Sequence, residues 1–297
     1  MLGQVAVIGC GLIGGSLVKA LRSRGNAARV GAVDREEVLA AAASYLDEGA
    51  SMGSPEAVRL VARSDLVVLA MPIGGILRDL AWVLDAVAPH AVVTDTGSVK
   101  KPIIEAAAQS AHLERFVGGH PMAGREVGGF EASTADLFEK ARWFLVTSEG
   151  ATGELEKRSL GRAMELAQAV GARPVVIDAE THDRAMAYVS HAPQLMASAL
   201  FGVAARAGVL GEAGPGFRDA TRISGGPPAI WRDILEANRR QIALALGDIL
   251  APLVRLRDTL ADGGEKAMAL AVELLEEAQV AKSASPSIPP GARGPGS

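Results

Sequence analysis

Residues 4–8, QVAVI, lead without a break into Gly9-Cys10-Gly11-Leu12-Ile13-Gly14, and no other stretch limits the fold so tightly. An apolar, partly β-branched run of this length reads as a buried strand, and helical spacing follows at once over 12–24. Strand, glycine turn and helix in that order give each glycine a task. Gly9 permits a tight turn, Gly11 lets a phosphate approach the backbone, and Gly14 lets the helix lie close to the strand. The free N–H groups and dipole of the helix start favour an anion there. Asp34 lies twenty residues past Gly14, after a second predicted strand at 29–33. Its carboxylate can accept hydrogen bonds from a ribose diol and would repel a 2′-phosphate. The motif predicts a dinucleotide site that favours NAD over NADP, with Arg35 beside the acid as the one feature suited to NADP. Cys10 reads as a small residue tolerated between glycines.

Further strands are predicted at 66–70, 91–94, 116–118, 143–147 and 174–177, with helical patterns at 36–46 and 75–88 between the earlier ones. Such alternation with short loops implies a parallel sheet covered by helices on both faces. Beyond residue 178 only helical patterns remain, over 180–208, 229–261 and 264–282. The expected fold class is α/β. A Rossmann-type NAD-binding domain would span 1–178, and an all-helical dimerisation and substrate domain 179–282. A Pro-, Gly- and Ser-rich tail over 283–297 should be disordered.

Composition excludes several kinds of partner. The net charge is -4 and no face-sized run of Lys or Arg appears, which argues against nucleic acid. The single cysteine can form no intrachain disulfide, and no basic leader precedes the first strand, so a cytoplasmic location is expected. Residues 185–205 form a 21-residue stretch without formal charge, long enough to cross a bilayer. Ser190, His191, Pro193, Gln194 and Ser198 would be costly in lipid, so this stretch is read as a buried or interface helix, and no membrane contact is expected. Neither an HxxxH pair nor a cysteine pair is present, and no metal is expected.

A dehydrogenase built on this plan places its substrate beyond the carboxyl ends of the strands. Two loops there carry suitable groups: 94–100, TDTGSVK, and 118–124, GGHPMAG. A third, Met71-Pro72-Ile73, is apolar and suits packing against a nicotinamide. On sequence alone His120 is either a base or a buried turn histidine, and Ser98 is either a polar site residue or the N-cap of a helix with Pro102 in its first turn.

Together GCGLIGGSL, TDTGSVK, GGHPMAG, SHAPQLMASAL and GFRDATRISGGPPAIWRDI resemble the prephenate dehydrogenase family of tyrosine biosynthesis, including its arogenate-using relatives, over roughly residues 4–280. The resemblance implies NAD-dependent oxidative decarboxylation of prephenate, with arogenate as the alternative substrate. It implies that His120 accepts the ring-hydroxyl proton and that Ser98 orients the hydroxyl and the imidazole. Arg222 would clamp a substrate carboxylate, a task for which a bidentate guanidinium is suited. His191, Trp231, Asp219 and Glu126 match pocket positions. Expected cofactor contacts are Gly9, Gly11, Leu12, Ile13 and Gly14 in the turn, Asp34 and Arg35 after the second strand, and Ala70, Pro72 and Asp95 after the third and fourth. His90, His112 and His182 carry no motif and are expected at the surface.

The match departs at Arg125, where the family pattern leads one to expect a small hydroxyl residue. A cation facing the pocket would suit the keto acid of prephenate better than the ammonium of arogenate, although Glu126 could cancel that preference. The long apolar helices imply a homodimer through the helical domain. Two rival readings differ in what they require. A β-hydroxyacid dehydrogenase needs a GxxGxGxxxK helix that is missing here, and a non-catalytic NAD sensor has no use for a base and an anion clamp together.

Overall fold

Side chains alternate across β1 (Leu2–Ile8): Val5 and Val7 turn to one face and Ala6 and Ile8 to the other, and all four are fully buried. A strand buried on both sides needs helices on both sides. The chain supplies α1 (Leu12–Arg24), α2 (Glu36–Ala42), α3 (Pro55–Arg63), α4 (Ile73–Ala86), α5 (Lys101–Ala107) and α6 (Glu154–Ala169). Leu17 and Leu21 of α1 and Leu166 of α6 pack with Val5 and Val7. Leu60 of α3, Ile76 and Leu80 of α4 and Ile103 of α5 pack with Ala6 and Ile8.

The computed structural model describes residues 1–125, 127–148 and 153–284. Within 1–239, β1 joins β2 (Ala27–Asp34), β3 (Glu48–Ser51), β4 (Leu66–Leu69), β5 (Val92–Asp95), β6 (Phe116–Pro121), β7 (Arg142–Val146) and β8 (Arg173–Val176). They form one eight-stranded sheet, ordered β3-β2-β1-β4-β5-β6-β7-β8. The first six strands are mutually parallel. Their carboxyl ends therefore share one edge, and the order reverses between β1 and β4, where such sheets open a ligand crevice. The glycine turn, Asp34, Ala70, the 96–100 loop and His120 all lie along that edge.

The sheet is not wholly parallel, as the alternation of elements had implied. β7 runs antiparallel to β6, with His120 opposite Phe144 and Pro121 opposite Trp143. A parallel return needs a crossover; the segment between β6 and β7 instead tucks Phe130, Leu137 and Phe138 into the core beside α1. β3 was not expected, and the helical pattern at 36–46 resolves into α2 followed by a 3₁₀ turn at Ala43–Tyr45.

After β8 every described element is helical. α7 (Ala179–Met186) widens into a π turn at Ala187–His191 and continues as α8 (Ala192–Arg206). The π turn precedes Pro193, which has no N–H to give to the preceding turn. α9 (Pro215–Thr221), a 3₁₀ turn at Arg222–Gly225 and α10 (Pro228–Ala237) follow. Packing divides the chain later than the change in secondary structure does: the compact units are 1–239 and 240–297. α7 packs on α5 and α10 on α4, which draws these helices into the first unit. The second unit holds α12 (Glu265–Ala284) and all but the first residue of α11 (Arg239–Asp262), and Leu256, Leu270 and Leu274 of these helices line one cavity. The expected tail begins inside α12 at Ser283, and its remainder lies outside the described residues. No helix among the described residues is long and apolar enough to cross a membrane.

The turn that opens α1 shows why two of its glycines are required. Gly9 has φ +94°, and a β-carbon there would sit 2.7 Å from the Ala70 carbonyl oxygen. A β-carbon on Gly14 would run into the Gly9 carbonyl oxygen, whereas one on Gly11 meets nothing within 4 Å. Gly14→Ala should therefore cost about 1–3 kcal/mol of stability, read as a lower thermal midpoint, while Gly11→Ala leaves the midpoint near wild type. Equal midpoints for the two variants would contradict the packing described.

Candidate active site

Asp95, at the end of β5, and Lys100, five residues on, are both fully buried and ion-paired. Lys100 Nζ also donates to the Gly119 carbonyl at 2.6 Å, and Asp95 accepts from the backbone N–H of Gly97 at 2.7 Å and of Gly119 at 3.0 Å. The pair ties the 96–100 loop to β6 one residue before His120. Asp95 is thus a structural anchor with both side-chain oxygens engaged. Burial pushes the Lys100 ammonium below the ordinary lysine range, against the pull of Asp95.

His120 is half-buried, and its Nδ1 lies 2.9 Å from Nε2 of His182. The His182 ring is fully buried, against the expectation of a surface position, and its Nδ1 lies 2.7 Å from Asp183 Oδ1. Asp183 also accepts from the N–H groups of Lys100 at 2.7 Å and Lys101 at 2.8 Å, at the start of α5. That carboxylate, and not Ser98, caps the helix. Ser98 lies half-buried in the loop, and its neighbour Val99 packs with Ile73 and Ile234, with Trp231 alongside. Helical periodicity could have found His182, since His182 and Asp183 share a stripe with the buried Met186 of α7 and Ala187 of the π turn that follows. Their lack of a motif hid them.

Asn238 joins the second histidine to this network. Its Nδ2 donates to the Asp183 carbonyl at 2.8 Å and lies 3.2 Å from Nδ1 of His191. His191 is buried, meets Trp231 edge-on at 6.1 Å between ring centres, and its Nε2 has no hydrogen-bond partner among the described residues. The Arg222–Gly225 turn packs on α8, directly after His191, with Arg222 and, in α9, Asp219 solvent-exposed. Asp233 of α10 accepts from the Gly74 N–H at 3.0 Å, which holds α10 over the Pro72 loop.

On the nucleotide side, Asp34 accepts from Cys10 N at 2.5 Å and Arg35 N at 2.7 Å, so its carboxylate stands at the mouth of the glycine turn. Arg35 is largely exposed and pairs with Glu37 at 3.0 Å. Leu12 and Ile13 are half-buried at the start of α1, with Ala70 half-buried and Pro72 exposed across the crevice. The clear space at Gly11 and the unpaired first turn of α1 fit a pyrophosphate. Burial, reinforced by Asp34, pushes the Cys10 thiol up to about 12, and it stays inert. Arg125 donates to the Ala132 carbonyl at 3.4 Å and to Thr134 Oγ1 at 3.2 Å. Thr134 N in turn donates to Ser16 of α1 at 3.0 Å, so this arginine is tied to the loop over the nucleotide helix. Glu126 lies outside the described residues.

Burial drives His120 well below the ordinary histidine range, reinforced by the neighbouring His182, Lys100 and His191, each of which would repel a second positive charge when protonated. Burial also lowers His191, to about 4, against the attraction of Asp183. Both rings are therefore neutral at pH 7. A depressed histidine pKa means that the unfolded chain binds protons first as pH falls, so stability is fully present above the unfolded value of 6.5 and declines towards 4. Urea denaturation should give a lower unfolding free energy at about pH 5 than at about pH 7, and His191→Asn should flatten part of that slope. A flat profile over this window would contradict the assignment.

The family model for the prephenate dehydrogenase nucleotide-binding domain matches residues 17–176, and that for the prephenate dehydrogenase dimerization domain matches 178–276. The cyclohexadienyl dehydrogenase of Zymomonas mobilis is 28% identical over 87% of this chain and 88% of its own length. The prephenate dehydrogenase of Lactococcus lactis is 32% identical over 79% of this chain, which spans only 65% of that longer protein. Among solved structures, prephenate dehydrogenase from A. aeolicus in complex with hydroxyphenyl propionate and NAD+ superposes with a TM-score of 0.81 at 28% identity, covering 95% of this chain and 98% of that one. The sheet order, the glycine turn and these matches over both parts of the chain place it in the prephenate dehydrogenase family.

Proposed function

We propose that the chain catalyses the oxidative decarboxylation of prephenate to 4-hydroxyphenylpyruvate, with His120 as the base. Family membership carries the coarser statement, an NAD-dependent dehydrogenase of the prephenate, cyclohexadienyl and arogenate group. The observation that supports the finer one is a neutral, half-buried His120 on the same sheet edge as the glycine turn. Gly9, Gly11 and Gly14 would hold the pyrophosphate and Asp34 the ribose. Bound NAD supplies the acceptor for the hydride that leaves the ring C4.

His120 takes the proton of the C4 hydroxyl as that hydride departs. It returns the proton to the phenolate oxygen when the ring carboxylate leaves as CO2 and the ring becomes aromatic. A base of this kind must be neutral before the step, and burial together with the nearby Lys100 keeps it so. Ser98, in the loop that ends at Lys100, orients the hydroxyl. His191 offers its unpartnered Nε2 to a substrate oxygen, and Arg222 pairs with the side-chain carboxylate. With Arg125 tied to the 132–134 loop, its presence gives no ground for choosing between prephenate and arogenate; the choice of prephenate follows the relatives. The non-catalytic sensor gains nothing from a buried network aimed at one imidazole.

Dimerisation through the helical part of the chain belongs to the same proposal. The family model over 178–276 is a dimerization domain. In the second unit Leu244, Leu250, Leu253 and Leu275 are exposed, as an unpaired interface would leave them.

Replacing His120 with Asn should lower kcat by about 10²–10⁴-fold on whichever of prephenate and arogenate the wild type prefers, with NAD affinity unchanged. A kcat within about tenfold of wild type would remove His120 from the mechanism. Sedimentation at micromolar concentration should give a dimer, and a monomer would contradict the interface.

A further inference from the structure

From the hydrogen bonds behind His120 we infer that His182 and Asp183 are the positioning residues that fix its tautomer; the inference rests on the reading of His120 as the base. Asp183 is an acceptor on each of its contacts: its oxygens take the N–H groups of Lys100 and Lys101. The same Oδ1 lies 2.7 Å from His182 Nδ1, so that nitrogen carries the proton. In a neutral imidazole the other nitrogen is then a bare acceptor, and His182 Nε2 faces His120 Nδ1 at 2.9 Å. The proton of His120 is therefore on Nδ1, and its Nε2 is left bare as the base. The 74° angle between the two rings, with centres 5.1 Å apart, suits an in-plane bond from one ring to the edge of the other. Phe144, opposite His120 in the β6–β7 pair, closes the far side of His182 edge-on at 5.5 Å between ring centres.

The arrangement has a second consequence. Asp183 holds the loop that carries Ser98 with the same carboxylate that sets the proton on His182. The serine and the base are thereby placed from one point. When His120 gains its proton, the positive ring donates through Nδ1 to His182, and His182 donates to a carboxylate, so the new charge faces an acceptor chain with no change of partners. The burial of His182 is what keeps water from replacing it in that chain.

The test compares two substitutions with His120→Asn in parallel. His182→Gln keeps an amide oxygen to accept from His120 and an amide nitrogen to donate to Asp183. His182→Phe keeps the bulk of the ring and removes both bonds. Phe should lower kcat by about 100-fold or more while KM and NAD affinity stay within about threefold, and Gln should retain kcat within about tenfold. A folded Phe variant with wild-type kcat overturns the inference. If the Phe variant does not fold, the Gln variant decides: a folded Gln protein as inactive as His120→Asn overturns it, and one near wild type upholds it. Should His120→Asn itself stay active, the functional reading fails, and not only this refinement.

Discussion

The Asp183 carboxylate is the contact on which the site depends. It sits at the junction of the 96–100 loop, the start of α5 and the α7 helix, and it joins all three. Without it, two backbone N–H groups at the start of α5 would lose their acceptor, at about 1–3 kcal/mol for each one left buried, and His182 would lose its orientation. The buried Lys100–Asp95 pair completes the scaffold from the other side, reaching the carbonyl of Gly119 next to His120. A buried ion pair stabilises little by itself. Its contribution here is geometric, since it pins two loops from different strands at one point and sets a positive charge near His120.

That charge explains the electrostatic character of the site. His120 and His191 are both held below the ordinary histidine range, chiefly by burial. In the proposed reaction, neutral rings would leave the attraction of a substrate carboxylate to Arg222 and keep one ring able to take a proton. The Asn238 amide, by donating to Nδ1 of His191, puts that ring's proton on Nε2, the reverse of the arrangement at His120. One ring then presents a donor and the other an acceptor.

Much of this was legible in the residues. The glycine turn and Asp34 announce the nucleotide crevice, because Gly9 and Gly14 are required by backbone geometry and Asp34 sets a carboxylate at the turn's mouth. The predicted strands agree with β1, β2 and β4–β8 to within a few residues, since each carries an apolar, partly β-branched run, buried on both faces in β1 and β4 and largely exposed in β8. β3 escaped because Glu48-Gly49-Ala50-Ser51 has no apolar run; its pairing with β2 is a tertiary effect. The direction of β7 could not be read from its own sequence, since direction is set by the path of the connection before it. At the site, the loop with His120 was visible and the network behind it was not. Lys100, the His182-Asp183 pair and Asn238 come from three separate stretches, and only folding places these within hydrogen-bond reach of one another.

Whether His120 can act as a base depends on the protonation of its ring, and that can be observed directly. Nitrogen NMR of protein carrying ¹⁵N-labelled histidine, at neutral pH and without substrate, reports which ring nitrogen of each histidine carries hydrogen. The account predicts a neutral His120 with its proton on Nδ1 and a bare Nε2. A proton on Nε2 of His120, or a doubly protonated ring, would contradict it.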